Sequence, residues 1–366
     1  KNVRLIEPYT QYDAISDVLC DGSIIRAVAP GLNCDYDILL DGNGLVCAPG
    51  LVDIHSHLRD PGFEYKEDIL TGCRSAAAGG ITSIACMPNT SPVCDCPEVI
   101  SYIRSQAEDL AQINVLPIGA VTIGQKGEKL ADFAAMRSAG AIAFSDDGVP
   151  VMSRDIMRRA MLAADRLGTK VLSHCEDFSF ASPSDASKYW KAGNGIPVET
   201  DEEAMIARDI SLSEETNAPI HICHVSTLNS VELIRRAKKL GLHVTCETAP
   251  HYFLLNSKKI EEKGTFAKMN PPLRPERDRL AIIDAVVDGT IDAIITDHAP
   301  HSFEEKARDF AKAPNGIVGF ETLLSGVLTA FYSTGLMLLP ALLAKLTHIP
   351  AEIVKTNAGR ISIGGR

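Results

Sequence analysis

The sequence lacks any apolar run long enough to span a bilayer, and no signal peptide is visible. No membrane role and a cytoplasmic location are the expectations. Nor does it hold a cluster of lysines or arginines. With 36 basic against 47 acidic residues its formal charge is −11, which argues against a nucleic-acid surface. An anionic substrate would have to be attracted locally. The 10 cysteines show no disulfide-framework spacing. Cys47, Cys86, Cys175, Cys223 and Cys246 lie in apolar strand-like runs, as reduced, buried thiols do. Cys94 and Cys96, two apart in a loop, are too weak a pattern for a metal or redox site. Internal repeats, low-complexity segments and a glycine-rich phosphate loop after the first long apolar strand are also missing.

What remains is an ordinary globular chain of 366 residues, 45% hydrophobic and 23% charged, enough for one large domain with a small appendage. Strand-like runs alternate with helical patterns. The strands are expected at Leu51–His57, Ile81–Met87, Ile113–Val121, Ala141–Asp147, Thr169–Cys175, Pro219–Val225, His243–Ala249 and Ala293–Ala299. Helices are expected at Lys66–Ala78, Ser153–Leu167, Asp201–Thr216, Leu228–Leu240 and Glu276–Asp288, most of them followed by a glycine stop. Such alternation, with strands apolar on both faces, predicts an α/β fold: a TIM-like (β/α)8 barrel rather than an open doubly wound sheet. Residues 1–50 read as a small β module with strands at Val3–Glu7, Ile15–Cys20, Ile24–Val28 and Tyr36–Leu40. The barrel is expected over residues 51–350, and 351–366 as a segment returning to the β module. The chain starts at Lys1 rather than at methionine, so a longer product is expected.

Asp53-Ile54-His55-Ser56-His57-Leu58-Arg59-Asp60 is the most informative stretch. Two histidines at i and i+2 on a strand share a face, so both can reach one metal ion. Arg59, also at i+2, suits a carboxylate. Asn89, Asp146-Asp147, His174, His224 and Asp297-His298 fall at other strand ends, and a barrel gathers such ends at one rim. Imidazole nitrogen and carboxylate oxygen are zinc ligands, and two ions need a bridging carboxylate. The spacing assigns His55, His57 and Asp297 to one metal, His174 and His224 to a second, and Asp147 between them. Asp297 is also placed to accept a proton from water and return it to a leaving nitrogen. His301, on the following loop, is a substrate-binding candidate.

Several of these residues also have plainer readings. Asp146-Asp147-Gly148 alone is the pattern of a turn with a helix cap. His221 and His224, three apart, face opposite sides of a strand, so only one points into the barrel. Cys175 and Cys223 are one step from candidate ligands and are expected to face outward. His243 and His348 read as structural, His298 should point away from Asp297, and His251 lies at the rim with no evident role.

Taken together, the stretch from Asp53 to Gly62 with Lys66-Glu67-Asp68 after it resembles the signature of the amidohydrolase superfamily's cyclic-amidase branch. The closest resemblance is to the dihydroorotases of the long bacterial type. Met87-Pro88-Asn89-Thr90, Phe144-Ser145-Asp146-Asp147-Gly148, the Lys268–Arg274 run and Thr296-Asp297-His298-Ala299-Pro300-His301 agree with it. The resemblance implies a zinc-dependent cyclic amide hydrolase with one or two zinc ions per chain. In that family the residues matching His55, His57, Asp147, His174, His224 and Asp297 bind metal, and the one matching Asp297 is the general base. Those matching Arg59, Asn89, Asn270 and His301 bind substrate. The implied reaction is reversible cyclisation of N-carbamoyl-L-aspartate to L-dihydroorotate in pyrimidine (UMP) synthesis. A homodimer and association with aspartate transcarbamoylase are further family-level expectations, and the terminal β module, a composite β-sandwich, is expected to gain strands beyond Arg366.

Allantoinases and dihydropyrimidinases share the first motif but bridge their metals with a carbamylated lysine. Here the corresponding strand ends in Asp146-Asp147 with no lysine nearby. Tyr252 stands where the family often has a second histidine. An inactive homologue serving as a scaffold subunit should have lost ligands, and none of the six is missing. The charged loop Ser302–Asn315 suggests a mobile cover.

Overall fold

A computed structural model describes residues 1–110, 113–182 and 184–365. Parallel strands run Leu51–Ser56, Ile81–Cys86 and Asn114–Pro117 in one group, and Val171–Ser173, Ile220–Ile222, Val244–Thr248 and Ala293–Ile294 in another. Phe144 joins the groups. It bridges Gly119 on one side and Val171 on the other, so the fourth expected strand shrinks to a single pairing point. Ser56 pairs with His298, and Asp297 N–H donates to His55 O at 3.1 Å, which closes the ring. The result is a barrel of eight parallel segments.

The helices follow local chemistry. Asp68 caps Ile69–Ala78 by accepting from Thr71 N, and Thr71 returns the bond, a capping box. This helix therefore starts after Lys66, not at it, and Lys66 is released to the rim. Thr200 and Glu203 form a second box at Asp201–Thr216. Thr227 caps Leu228–Lys239, whose last turn carries Arg236, Lys238 and Lys239 against the dipole. On the strands Ile54, Ile84, Ile222 and Ile294 are fully buried in the core.

Ahead of the barrel lies a four-stranded sheet ordered Ile24–Ala29, Tyr12–Asp21, Val3–Glu7, Val46–Cys47. The last strand pairs parallel to Val3–Glu7, the others antiparallel. The strand expected at Tyr36–Leu40 is not formed. Ile38 and Leu40 there are 80% and 77% exposed, so alternation without a pairing partner produces no strand. Near the end of the chain, Gly364 N–H donates to Ile25 O at 2.8 Å, laying that end along the sheet's edge. All ten cysteines are free, six of them buried. No helix among the described residues is long and apolar enough to cross a membrane.

Candidate metal centre and substrate pocket

All six candidate ligands meet at the carboxyl-terminal mouth of the barrel, around Asp147. Its Oδ1 lies 3.3 Å from His55 Nε2, 3.4 Å from His174 Nδ1 and 3.7 Å from His224 Nε2. Its Oδ2 lies 3.4 Å from His57 Nε2. Asp297 Oδ1 is 3.3 Å from His57 Nε2 and 3.6 Å from His55 Nε2. His174 Nδ1 and His224 Nε2 are 2.8 Å apart. Tetrahedral zinc with bonds of about 2.0 Å separates its ligand atoms by roughly 3.3 Å. The observed spacings scatter around that value. Both Asp147 oxygens lie among imidazole nitrogens, Oδ1 among those of His55, His174 and His224 and Oδ2 beside that of His57.

Unsatisfied atoms point the same way. His55 Nε2 and Asp147 Oδ1, 3.3 Å apart, are buried without a hydrogen-bond partner. Each such atom costs about 1–3 kcal/mol. His55, His57 and Asp297, and separately His55, Asp147 and His224, offer ligand atoms within 4.8 Å of one another. The donor set fits a divalent cation.

The site's protonation tells the same story. Burial pushes the Asp147 carboxyl up, but His55, His174 and His224 outweigh it and hold it well below the usual carboxylate range. Asp297, despite burial, is lowered by His57, His55 and His224. Burial disfavours a His55 cation, yet Asp147 and Cys223 raise it well above its ordinary value, and His174 rises to about 9 against burial because of Asp147 and Glu176. The cluster is built to hold positive charge.

Three backbone positions explain how these side chains converge. His224, Asp297 and Arg59 have φ of 34°, 48° and 62°, in the left-handed region. Such strain costs about 1–3 kcal/mol each and concentrates at functional sites. It also breaks strand alternation. His221 points inward with the strand's period of two, and His224 is turned inward beyond it, so the expectation that only one faces the barrel is corrected. Cys223, expected to face outward, instead comes within 4.8 Å of His55 and Glu247 ligand atoms.

Glu247 has no place in the sequence reading above. Fully buried, its Oε1 accepts from His55 Nδ1 at 2.6 Å and its Oε2 pairs with His221 Nε2 at 3.0 Å. Burial raises its carboxyl, but His221 and His55 bring it down to about 2. A carboxylate on the far nitrogen fixes a ligand's tautomer and orientation. The signal was there: an acid in the apolar run Val244–Thr248 is buried only if paired. Glu176, likewise unread, lies 3.1 Å from His174 Nε2.

A cavity of about 160 Å³ opens over the cluster and is lined in part by Arg59, Asn89, Asn270 and His301. It has room for a small molecule, not a polymer. Arg59 Nε donates to Pro300 O at 3.2 Å, and its Nη2 lies 3.3 Å from His301 Nε2. His301 Nε2 donates to Asn315 O at 2.7 Å and its Nδ1 accepts from Lys66 Nζ at 3.1 Å. Burial, with Arg59 and Lys66, lowers this imidazole to about 4 and keeps it neutral. Asn89 Oδ1 accepts from His57 Nδ1 at 2.9 Å, so one asparagine touches both halves of the pocket. Asn270 donates to Glu176 at 2.9 Å. His298 turns away to Glu67 at 2.9 Å, and His251 is buried with its Nε2 unpartnered.

Known proteins give this geometry a family. A family model described as dihydro-orotase-like matches residues 44–230. The dihydroorotase of Acetivibrio thermocellus is 47% identical over 368 residues, covering 100% of this chain and 86% of the relative. That of Geobacter sulfurreducens is 46% identical over 369 residues, with the same coverage. Among solved structures, the L-hydantoinase of Arthrobacter aurescens superposes with a TM-score of 0.82 at 24% identity, over 100% of this chain and 84% of that one. The dihydropyrimidinase of Brevibacillus agri gives 0.84 at 21%, over 100% and 83%. The last two speak for the fold: a TIM barrel with an N-terminal β domain. On the full-length identity to the first two, the chain belongs to the dihydroorotase family of cyclic amidohydrolases.

Proposed function

We propose that the chain interconverts L-dihydroorotate and N-carbamoyl-L-aspartate in pyrimidine biosynthesis, as a zinc enzyme with one or two ions per chain. The observation that carries this reading is the meeting of six ligand side chains around Asp147, with a guanidinium–imidazole pair beside them in one small cavity. His55, His57 and Asp297 would hold one ion, His174 and His224 a second, and Asp147 would bridge. Bound there, zinc would supply acidified water near neutral pH and would polarise the amide carbonyl.

The chain's own groups do the rest. Arg59 pairs with the ring carboxylate, backed by His301, while Asn89 and Asn270 fix the ring's plane. Water adds to the amide carbon as the carbon–nitrogen bond breaks. Asp297 takes the water proton and delivers it to the leaving nitrogen; in the reverse direction it removes that proton. Glu247 holds His55 in register, and Glu176 does so for His174. Asp147, already a carboxylate, makes a carbamylated lysine unnecessary, which favours dihydroorotate over allantoin or dihydrouracil as substrate. A homodimer, contact with aspartate transcarbamoylase and a cytoplasmic location belong to the same proposal.

The test combines metal analysis with substrate assays on purified protein. Zinc at one to two per chain and turnover of dihydroorotate are expected. Turnover of allantoin or dihydrouracil with none of dihydroorotate would sink the reading.

A further inference from the structure

Residues 302–316 close one side of the pocket, with Asn315 and Gly316 in its lining. The charged sequence suggests a mobile cover, but the contacts describe a fastened wall. Lys306 is buried, and its ammonium donates to Lys268 O at 3.0 Å, Pro314 O at 3.1 Å and Gly316 O at 2.9 Å. Lys268 reaches the other way, donating to Phe310 O and Ala313 O at 2.7 Å each. Its ammonium also lies 5.1 Å from the Phe310 ring centroid. Gly316 N–H adds a bond to Lys268 O at 3.0 Å. Neither lysine has a carboxylate at ion-pair distance among the described residues, so both charges are spent on backbone carbonyls. An ammonium is costly to withdraw from water, and carbonyl dipoles compensate for it here, joined at Lys268 by the Phe310 ring.

The two segments so joined both line the cavity, one through Asn270 and the other through Asn315 and Gly316. Lys268 precedes Asn270 by two residues. Pro314 and Gly316 flank Asn315, whose carbonyl holds His301. We propose that Lys306 and Lys268 form a crossed clasp that sets the distance between the Asn270 wall and the His301–Gly316 wall, making both lysines positioning residues for the substrate. Residues 302–316 are then a fixed part of the pocket in the ligand-free protein.

The inference uses the dihydroorotate reading, so wild-type turnover is measured first. Absence of turnover would overturn that reading alone, because the clasp is also tested without substrate. By hydrogen exchange of the ligand-free wild type, the Gly316 amide should be slow, and in Lys306→Met it should speed up about tenfold or more. A fast-exchanging Gly316 in the wild type overturns the clasp. In Lys306→Met and Lys268→Met, KM for dihydroorotate should rise about tenfold while kcat stays within about threefold, with zinc content unchanged. The double variant should be little worse than either single one, because opening one end frees the same wall. Unchanged KM in the single variants, or multiplying effects in the double, overturns it. Lys268→Met, at the less buried position, carries these readouts should Lys306→Met fail to fold.

Discussion

The metal half and the substrate half of the pocket are built differently. The metal half comes from strand ends. His55, His57, Asp147, His174 and His224 are buried, and carboxylates pin two of the histidines from behind. The substrate half comes from loops. Arg59 and His301 hang on carbonyls of Pro300 and Asn315, and lysines hold those loops in place. Chemistry that must not move rests on the barrel's own hydrogen-bond ladder. Recognition, which must admit and release a small acid, rests on segments fastened from outside it.

Four experiments sharpen or break that division. Asp297→Asn, in the metal half, should lower kcat by about 100- to 10,000-fold with the fold intact, because the proton carrier is lost. Near-normal turnover would remove Asp297 from that role. Arg59→Ala, in the substrate half, should raise KM for dihydroorotate by about 10- to 100-fold, the worth of a charge-assisted hydrogen bond of about 1.5–3 kcal/mol. An unchanged KM, or a loss confined to kcat, would erase the distinction between the halves. Glu247→Gln should weaken zinc by about 10- to 100-fold in chelator competition, with a smaller change in KM. Wild-type zinc affinity would mean that Glu247 only fills space.

The smallest effect concerns His301, whose imidazole is lowered from 6.5 to about 4 by burial, Arg59 and Lys66. Between those values the unfolded chain binds the proton that the folded one refuses. Stability therefore rises with pH from about 4 to 6.5 and gains nothing from this group above that. His301→Gln should flatten part of that rise in urea unfolding at pH 4.5 and 7.5. An unaltered slope would show that the neutral imidazole is not what the folded pocket demands.

The metal half was largely legible in sequence. His55 and His57 share a strand face, and strand ends in a barrel share a rim, so local periodicity alone collects the candidate ligands. Periodicity failed where the backbone leaves the strand. At His224 the positive φ turns the side chain across the pleat, so it joins His221 and Cys223, which share the inward face by alternation. Glu247 was missed because its partner His55 is 192 positions away. Tyr36–Leu40 was misread for the opposite reason: alternation proposes a strand, but only a neighbour makes one. In the substrate half, Arg59, Asn89 and His301 stood out by position and Asn270 through motif resemblance, while their supports did not. Lys306 sits within Ser302–Asn315, where a run of charge suggests only a mobile cover.

By itself the sequence determined the alternation of strand and helix, the candidate ligands and the rim on which they gather, because these follow from neighbours a few residues apart. Tertiary structure alone decided which carboxylate steadies each histidine, which strand ends twist out of register and how residues 302–316 are fastened. Those depend on closing the ring, which brings groups hundreds of residues apart within hydrogen-bond reach, and no local pattern encodes that distance.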